Sequence, residues 1–221
     1  MAIAMDMNAS YHLVVQEKLP AATIVYDRYH MQAQFGKEVL GVVRLEEARR
    51  HNTQAKVLKE TLAELPPQEQ KAVKEQIHAQ QTEYRQLKKL RWSLLTNGAT
   101  LHPDKAKHLH AILENHSDLA VCYAMKEELC RLFSLRDVSQ AVSSWNAWFD
   151  AAKESGIPAL AHFASLKEKR LPGLVAHAIF PISTGKLEGF NNKVKVAKRI
   201  GYGYRNDAYF FTLVRFLTWM A

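Results

Sequence analysis

Residues Ser183 to Arg205 read S-T-G-K-L-E-G-F-N-N-K-V-K-V-A-K-R-I-G-Y-G-Y-R. A hydroxyl residue and Gly185 stand at the start of this run, as at the start of a helix, and Gly201 and Gly203 close it. The spacing predicts a helix with two unlike faces. Glu188, Asn191, Asn192, Lys195 and Arg199 recur at helical intervals as a polar stripe. Leu187, Phe190, Val194 and Ala197 form the opposite, apolar stripe, which is expected to dock on a core. One acid thus shares a face with two amides and a row of cations. A metal-binding carboxylate beside groups that hold phosphates has this composition. An ordinary amphipathic surface helix has it too, and spacing alone does not separate the two.

The start of the chain holds a second pattern. Ala2-Ile3-Ala4-Met5 is a short apolar run that ends in Asp6, and Ala22-Thr23-Ile24-Val25-Tyr26 is a β-rich run that ends in Asp27. Between them, Asn8 or Ser10 can cap a helix that Pro20 terminates. Two strands joined by a helix, with an acid at each strand end, describe a piece of parallel sheet, and sites in such sheets form at the carboxyl ends of strands. Asp27-Arg28-Tyr29-His30 then leaves the second strand as a D-x-x-H element. An Asp–His pair at this spacing can orient each other or brace a nearby carboxylate; a structural histidine is the blander reading.

From Gln34 to about Arg170 glycine is sparse and helical periodicity dominates. Two long amphipathic segments flank Leu65-Pro66-Pro67 and read as an antiparallel hairpin. Further helices are expected from Asp104 to Asn115, Leu119 to Phe133, Val138 to Ser155 and Ala159 to Leu171. Trp145, Trp148 and Phe149 recur at helical spacing, which favours core packing over a base-stacking platform. The ten histidines are scattered, with His108 and His110 on different helix faces, and suggest no metal site of their own. Cys122 and Cys130 read as reduced thiols of a cytoplasmic protein rather than a disulfide or metal framework. The motifs of zinc proteases, phosphate-binding loops, nucleophile elbows and dinucleotide sites do not occur.

Charge narrows the partner. The net charge is +8, and between Ser183 and Ala221 seven cations face only Glu188 and Asp207, so a polyanion is favoured. No apolar run is long enough to span a bilayer.

The residue order carries more information than the spacing. T-G-x-x-E-G-x-N-N-x-x-K-x-x-K-R-x-x-Y-G-Y-R-N, from Thr184 to Asn206, resembles the segment that bears the last acidic residue in DDE transposases of bacterial insertion sequences, most closely the ISL-three group. D-M-x-x-x-Y from Asp6 and P-x-A-x-I-V-x-D-R-x-H from Pro20 resemble the preceding part of the same catalytic domain. The resemblance implies a ribonuclease-H-like core and two-metal phosphodiester chemistry, with three carboxylates holding two Mg²⁺ ions about 3.5–4 Å apart. It implies that Asp6 and Glu188 are catalytic metal ligands, with Asp27 and His30 as an accessory pair. The swap, Asp27 catalytic and Asp6 structural, stays open. It implies DNA contacts by Asn191, Asn192, Lys195, Lys198, Arg199, Tyr202 and Arg205. The partners implied are transposon-end DNA and, on it, a second copy of the chain.

The fold class expected is α/β but mostly helical: a partial ribonuclease-H-like core with a large all-α insertion. Residues 1–34 would open the core, 35–175 form the insertion, and 176–221 complete the core. The family's first Asp lies on a strand well upstream of its second, whereas Asp6 is five residues from Met1. The expectation is therefore a fragment without strand-transfer activity of its own. A non-catalytic helical DNA-binding or interaction protein is the alternative.

Overall fold

The computed structural model describes residues 1–219 apart from 63 and 202, with 218 and 219 described by backbone alone. Strand β1 (Ala2–Met5) leads into helix α1 (Ala9–Lys18), whose first N–H groups are capped by Asn8, and then into strand β2 (Thr23–Tyr26). The strands pair in parallel, Ala2 with Thr23 through Met5 with Tyr26. Two β-rich runs with a short helical crossover have this right-sized connection for parallel pairing. The order strand, helix, strand is the one the sequence predicts.

Asp27 ends β2 and caps α2 (Arg28–Phe35); one π-helical turn, Gly36–Leu40, then feeds the long helix α3 (Gly41–Leu62). Helix α4 (Pro67–Lys89) returns antiparallel, with Pro66 and Pro67 at the turn. Arg44 pins the base of this hairpin, because its buried guanidinium donates to the carbonyls of Leu87 and Lys88, both at 3.0 Å. Small residues Ala48 and Ala55 are buried on α3 and let the helices approach closely.

The chain continues through α5 (Arg91–Leu95), α6 (Pro103–Leu113), α7 (Ser117–Leu132), α8 (Val138–Glu154), α9 (Pro158–Glu168), α10 (Leu171–Ile179), α11 (Gly185–Ile200) and α12 (Asp207–Trp219). Trp145, Trp148 and Phe149 lie in the core as expected. Phe133, Phe35 and Phe163 pack on them edge-on, and the Trp148 indole N–H is satisfied by the Met125 carbonyl at 3.0 Å. One continuous buried cluster runs from Met5 through this aromatic group to Ala178. Burial of the Cys122 thiol pushes its pKa up to about 12, with Asp118 adding to the shift, so it packs as an inert apolar group.

The sequence reading departs from the structure at Lys169-Arg170. Periodicity predicts one helix to Leu171, but α9 stops at Glu168 and α10 begins at Leu171, with Pro172 in its first turn where a missing N–H costs nothing. The break lets α10 turn onto β2. Gly173 sits against the Tyr26 ring, where a Cβ would meet ring carbons at 2.5 Å and the Ile24 carbonyl oxygen at 3.3 Å. Arg170 donates to the Tyr26 hydroxyl at 3.1 Å, and His12 Nδ1 shares that hydroxyl at 2.8 Å. Gly173→Ala is therefore expected to cost about 1–3 kcal/mol by overpacking. A fall in the urea midpoint of the variant at pH 7 is the measurement that checks it.

Candidate functional site: two strand ends and the first turn of α11

The C-terminal ends of β1 and β2 place Asp6 and Asp27 next to each other in register, just beyond the Met5–Tyr26 pair; the Asp27 N–H donates to the Met5 carbonyl at 2.9 Å. The two acids meet different surroundings. Asp6 is half-buried, and its Oδ1 accepts from the Asn8 N–H at 2.9 Å. Asp27 is buried, and both of its oxygens are engaged. Oδ1 accepts from the N–H groups of Tyr29 (2.8 Å) and His30 (3.4 Å), as an N-cap does. Oδ2 accepts from the Thr184 N–H (2.7 Å) and the Thr184 hydroxyl (3.1 Å). A carboxylate offers about four lone-pair sites, and four donors fill those of Asp27.

Asp27 thereby ties the end of β2 to the residue before α11. The Thr184 hydroxyl is spent on Asp27 rather than on capping its own helix. The Glu188 N–H donates to the Thr184 carbonyl at 2.9 Å, so this tether sets where the first turn of α11 begins. The Glu188 side chain then meets His30 across 158 residues of sequence, Nε2 to Oε1 at 3.0 Å. The D-x-x-H element and the glutamate form one unit: Asp27 holds the helix start and His30 holds the carboxylate. Glu188 is half exposed, at 53% of its side chain, and sits in the first turn, where the helix dipole favours a negative charge.

Beyond Glu188 the polar stripe faces solvent. Asn191, Asn192, Lys195, Lys198 and Arg199 are exposed along α11, and Arg205 is exposed after it; the Lys198 ammonium lies 5.8 Å from the centre of the Phe210 ring. Tyr202 lies outside the described residues. The apolar stripe behaves differently from the sequence expectation. Ala197 is buried and Val194 half-buried, but Leu187 and Phe190 are exposed, at 59% and 39%. A helix buries a face only where another element covers it, and α12 covers the second half of α11. Lys193 Nζ donates to the Leu217 carbonyl of α12 (3.2 Å), and Tyr204, in the turn before α12, donates its hydroxyl to the Ala197 carbonyl (2.9 Å). Apolar spacing at Phe210, Phe211, Val214, Leu217 and Met220 predicts a closing helix; in α12 Val214 is buried, Phe210 and Leu217 are half-buried and Phe211 is exposed, while Met220 lies outside the described residues.

Two of the scattered histidines come together with a glutamate in the fold. Glu47, His51 and His116 bring one ligand atom each to within 4.8 Å of one another, away from the strand ends. Glu47 and His51 are four apart on one face of α3, a legible metal-ligand spacing. His116 joins them from 65 positions further along the chain, which no local pattern reveals.

A family model described as transposase, of the ISL-three group of DDE enzymes, matches residues 1–214. The transposase for insertion sequence element IS1001 of Bordetella parapertussis is 34% identical over 214 residues, which are 97% of this chain and 46% of that protein. The transposase for insertion sequence element IS1557 of Mycobacterium tuberculosis is 27% identical over 124 residues, 55% of this chain and 27% of that protein. The chain thus spans less than half the length of these relatives. No solved structure matches.

The fourfold bonding of Asp27 has a consequence for stability. Burial raises its pKa, but the donors from Thr184, Tyr29 and His30 outweigh burial and hold the net value below the ordinary range. A depressed carboxylate contributes stability above its unfolded pKa near 3.9 and loses it as pH falls through the folded value. Asp27→Asn turns an NH₂ toward existing donors. It should cost about 1.5–3 kcal/mol at pH 7. Urea midpoints of variant and parent are expected to converge as pH falls below about 4.

Proposed function

Because the chain belongs to the ISL-three family of DDE transposases, we propose that it contributes two metal-binding carboxylates and a DNA-contacting helix to cleavage and strand transfer at transposon ends. The observation that carries the reading is the His30–Glu188 bond, which joins the D-x-x-H element to the acid of the C-terminal signature segment. Residues 1–34 and 176–221 are read as parts of a ribonuclease-H-like core, with 35–175 as its helical insertion.

Asp6, rather than Asp27, is the carboxylate proposed as a ligand beside Glu188. Asp27 spends its lone-pair sites on four donors within the fold, whereas Asp6 has one hydrogen bond to Oδ1 and Glu188 has one to Oε1. Each retains a further oxygen, and hard carboxylate oxygens suit Mg²⁺. When bound, Mg²⁺ supplies Lewis-acid polarisation of phosphodiester oxygens and eases ionisation of the attacking hydroxyl or water. His30 orients the Glu188 carboxylate, and Asp27 fixes the start of α11 through Thr184. Asn191, Asn192, Lys195, Lys198, Arg199 and Arg205 position the DNA backbone along the exposed face that begins at Glu188. Asp6 and Glu188 are two of the three carboxylates that the chemistry needs. Strand transfer is accordingly proposed for a longer family protein carrying this segment, and the 221-residue chain by itself is expected to bind DNA without transferring strands.

In such a longer transposase, Glu188→Gln should reduce Mg²⁺-dependent strand transfer on the order of 10³-fold, the loss of several kcal/mol of transition-state stabilisation. Binding of end DNA without metal should persist. If cleavage is unchanged in Glu188→Gln and indifferent to Mg²⁺, the segment is a DNA-binding module and the catalytic reading fails.

The cationic part of the face is tested separately in the 221-residue chain by mobility shift over a series of salt concentrations. Lys195→Ala and Arg199→Ala should each lower the slope of log affinity against log salt by roughly 0.9. An unchanged slope would remove these residues from the interface.

A further inference from the structure

We propose that Glu47, His51 and His116 bind a zinc ion that fixes the root of the α3–α4 hairpin to α7. The site lies where the hairpin leaves the body of the protein. Val43, Ala48 and Leu87 belong to the continuous core, whereas Ala55 and Ile77, further out, are buried outside that cluster. Glu47 and His51 project from one face of α3. His116, buried at 6% exposure, stands at the start of α7.

The distances favour ligands of one ion over a simple hydrogen-bonded pair. His116 Nδ1 and Glu47 Oε2 are 3.6 Å apart, long for a hydrogen bond. Two ligands each about 2.1 Å from a tetrahedral zinc ion stand about 3.4 Å from one another. The His51 and His116 rings lie nearly perpendicular, at 86° with centroids 5.4 Å apart, so their faces do not stack across the space between them. Closing the three ligand atoms from within 4.8 Å needs movements of about an ångström, which side-chain torsions supply.

Each ligand is also held from behind. His116 Nε2 lies 3.4 Å from Glu83 Oε2 on α4, which leaves Nδ1 on the Glu47 side. His51 Nδ1 lies 2.6 Å from Gln80 Oε1, also on α4; a carbonyl oxygen only accepts, so Nδ1 carries the proton and Nε2 keeps its lone pair. Arg50 donates to Glu47 Oε1 at 2.8 Å and leaves Oε2 toward His116. Outer partners that fix the tautomer and direction of ligating side chains are the usual support of a metal site. Two imidazoles and one carboxylate select zinc over magnesium, and the fourth position is left to water. The competing arrangement is a metal-free one, with His116 bridging Glu47 and Glu83.

The test uses the purified 221-residue chain, stripped with chelator, mixed with Zn²⁺ and gel-filtered, with Co²⁺ as a spectroscopic substitute. Parent protein should retain one equivalent of zinc and show the intense visible bands of four-coordinate Co²⁺. His51→Ala and Glu47→Gln, folded by circular dichroism, should lose both. Gln80→Ala keeps all three ligands and should weaken zinc binding about 10–100-fold, which keeps the test decisive should a ligand variant fail to fold. Glu188→Gln should retain the ion, which separates this site from the proposed catalytic carboxylates. Failure of the parent to retain zinc, or equal retention by His51→Ala and Glu47→Gln, overturns the proposal in favour of the metal-free charge network.

Discussion

A single buried carboxylate holds the two ends of this chain together. Asp27 closes β2, caps α2 with one oxygen and takes the Thr184 N–H and hydroxyl on the other. A buried charge with fewer partners would be expensive, since each unmet lone pair forfeits hydration without replacement. Satisfying it requires Thr184 to sit at the strand end, and that requirement places the first turn of α11 there. Glu188 follows one turn on, within reach of His30. The geometry of the site is thus a by-product of solvating one anion inside the fold.

The rest of the molecule supplies the rigidity that this arrangement needs. The aromatic group around Trp145, Trp148 and Phe149 excludes water from the centre of the helical block, while α10 carries the block back onto β2 through Gly173 and Arg170. β2 is therefore held on one side by β1 and on the other by α10, and its end at Asp27 has little freedom. The hairpin is built on a different plan. Its base is pinned by Arg44 and by the Glu47, His51 and His116 group, and its outer half buries only its own small and apolar residues.

The exposed faces divide by chemistry. The stripe from Glu188 to Arg199 is polar and cationic, suited to a phosphate backbone. Leu187 and Phe190 leave apolar surface on α11 where periodicity predicts burial, and Phe211 and Phe216 add exposed apolar surface on α12. Amphipathic spacing states which residues share a face, but whether that face is covered depends on what packs there.

Much was legible locally. Glycine, proline and capping residues marked the ends of α11, the turn of the hairpin and the cap of α1, and alternating acids after β-rich runs marked two parallel strand ends. The residue order from Thr184 to Asn206 was enough to suggest the family, because it records chemistry rather than propensity. Local signals failed where a residue serves two neighbours. Periodicity carries one helix on to Leu171, but Leu171 and Pro172 belong to the first turn of α10, where proline is tolerated. His116 reads as an isolated histidine because Glu47 and His51 lie 65 and more positions away in sequence. The sequence by itself determined most of the helices, the two strands and the family. Only the tertiary structure decided that Asp27 is saturated while Asp6 is not, that His30 meets Glu188, and that three scattered ligands converge, because hydrogen-bond saturation and convergence are properties of distance in space, which spacing along the chain does not encode.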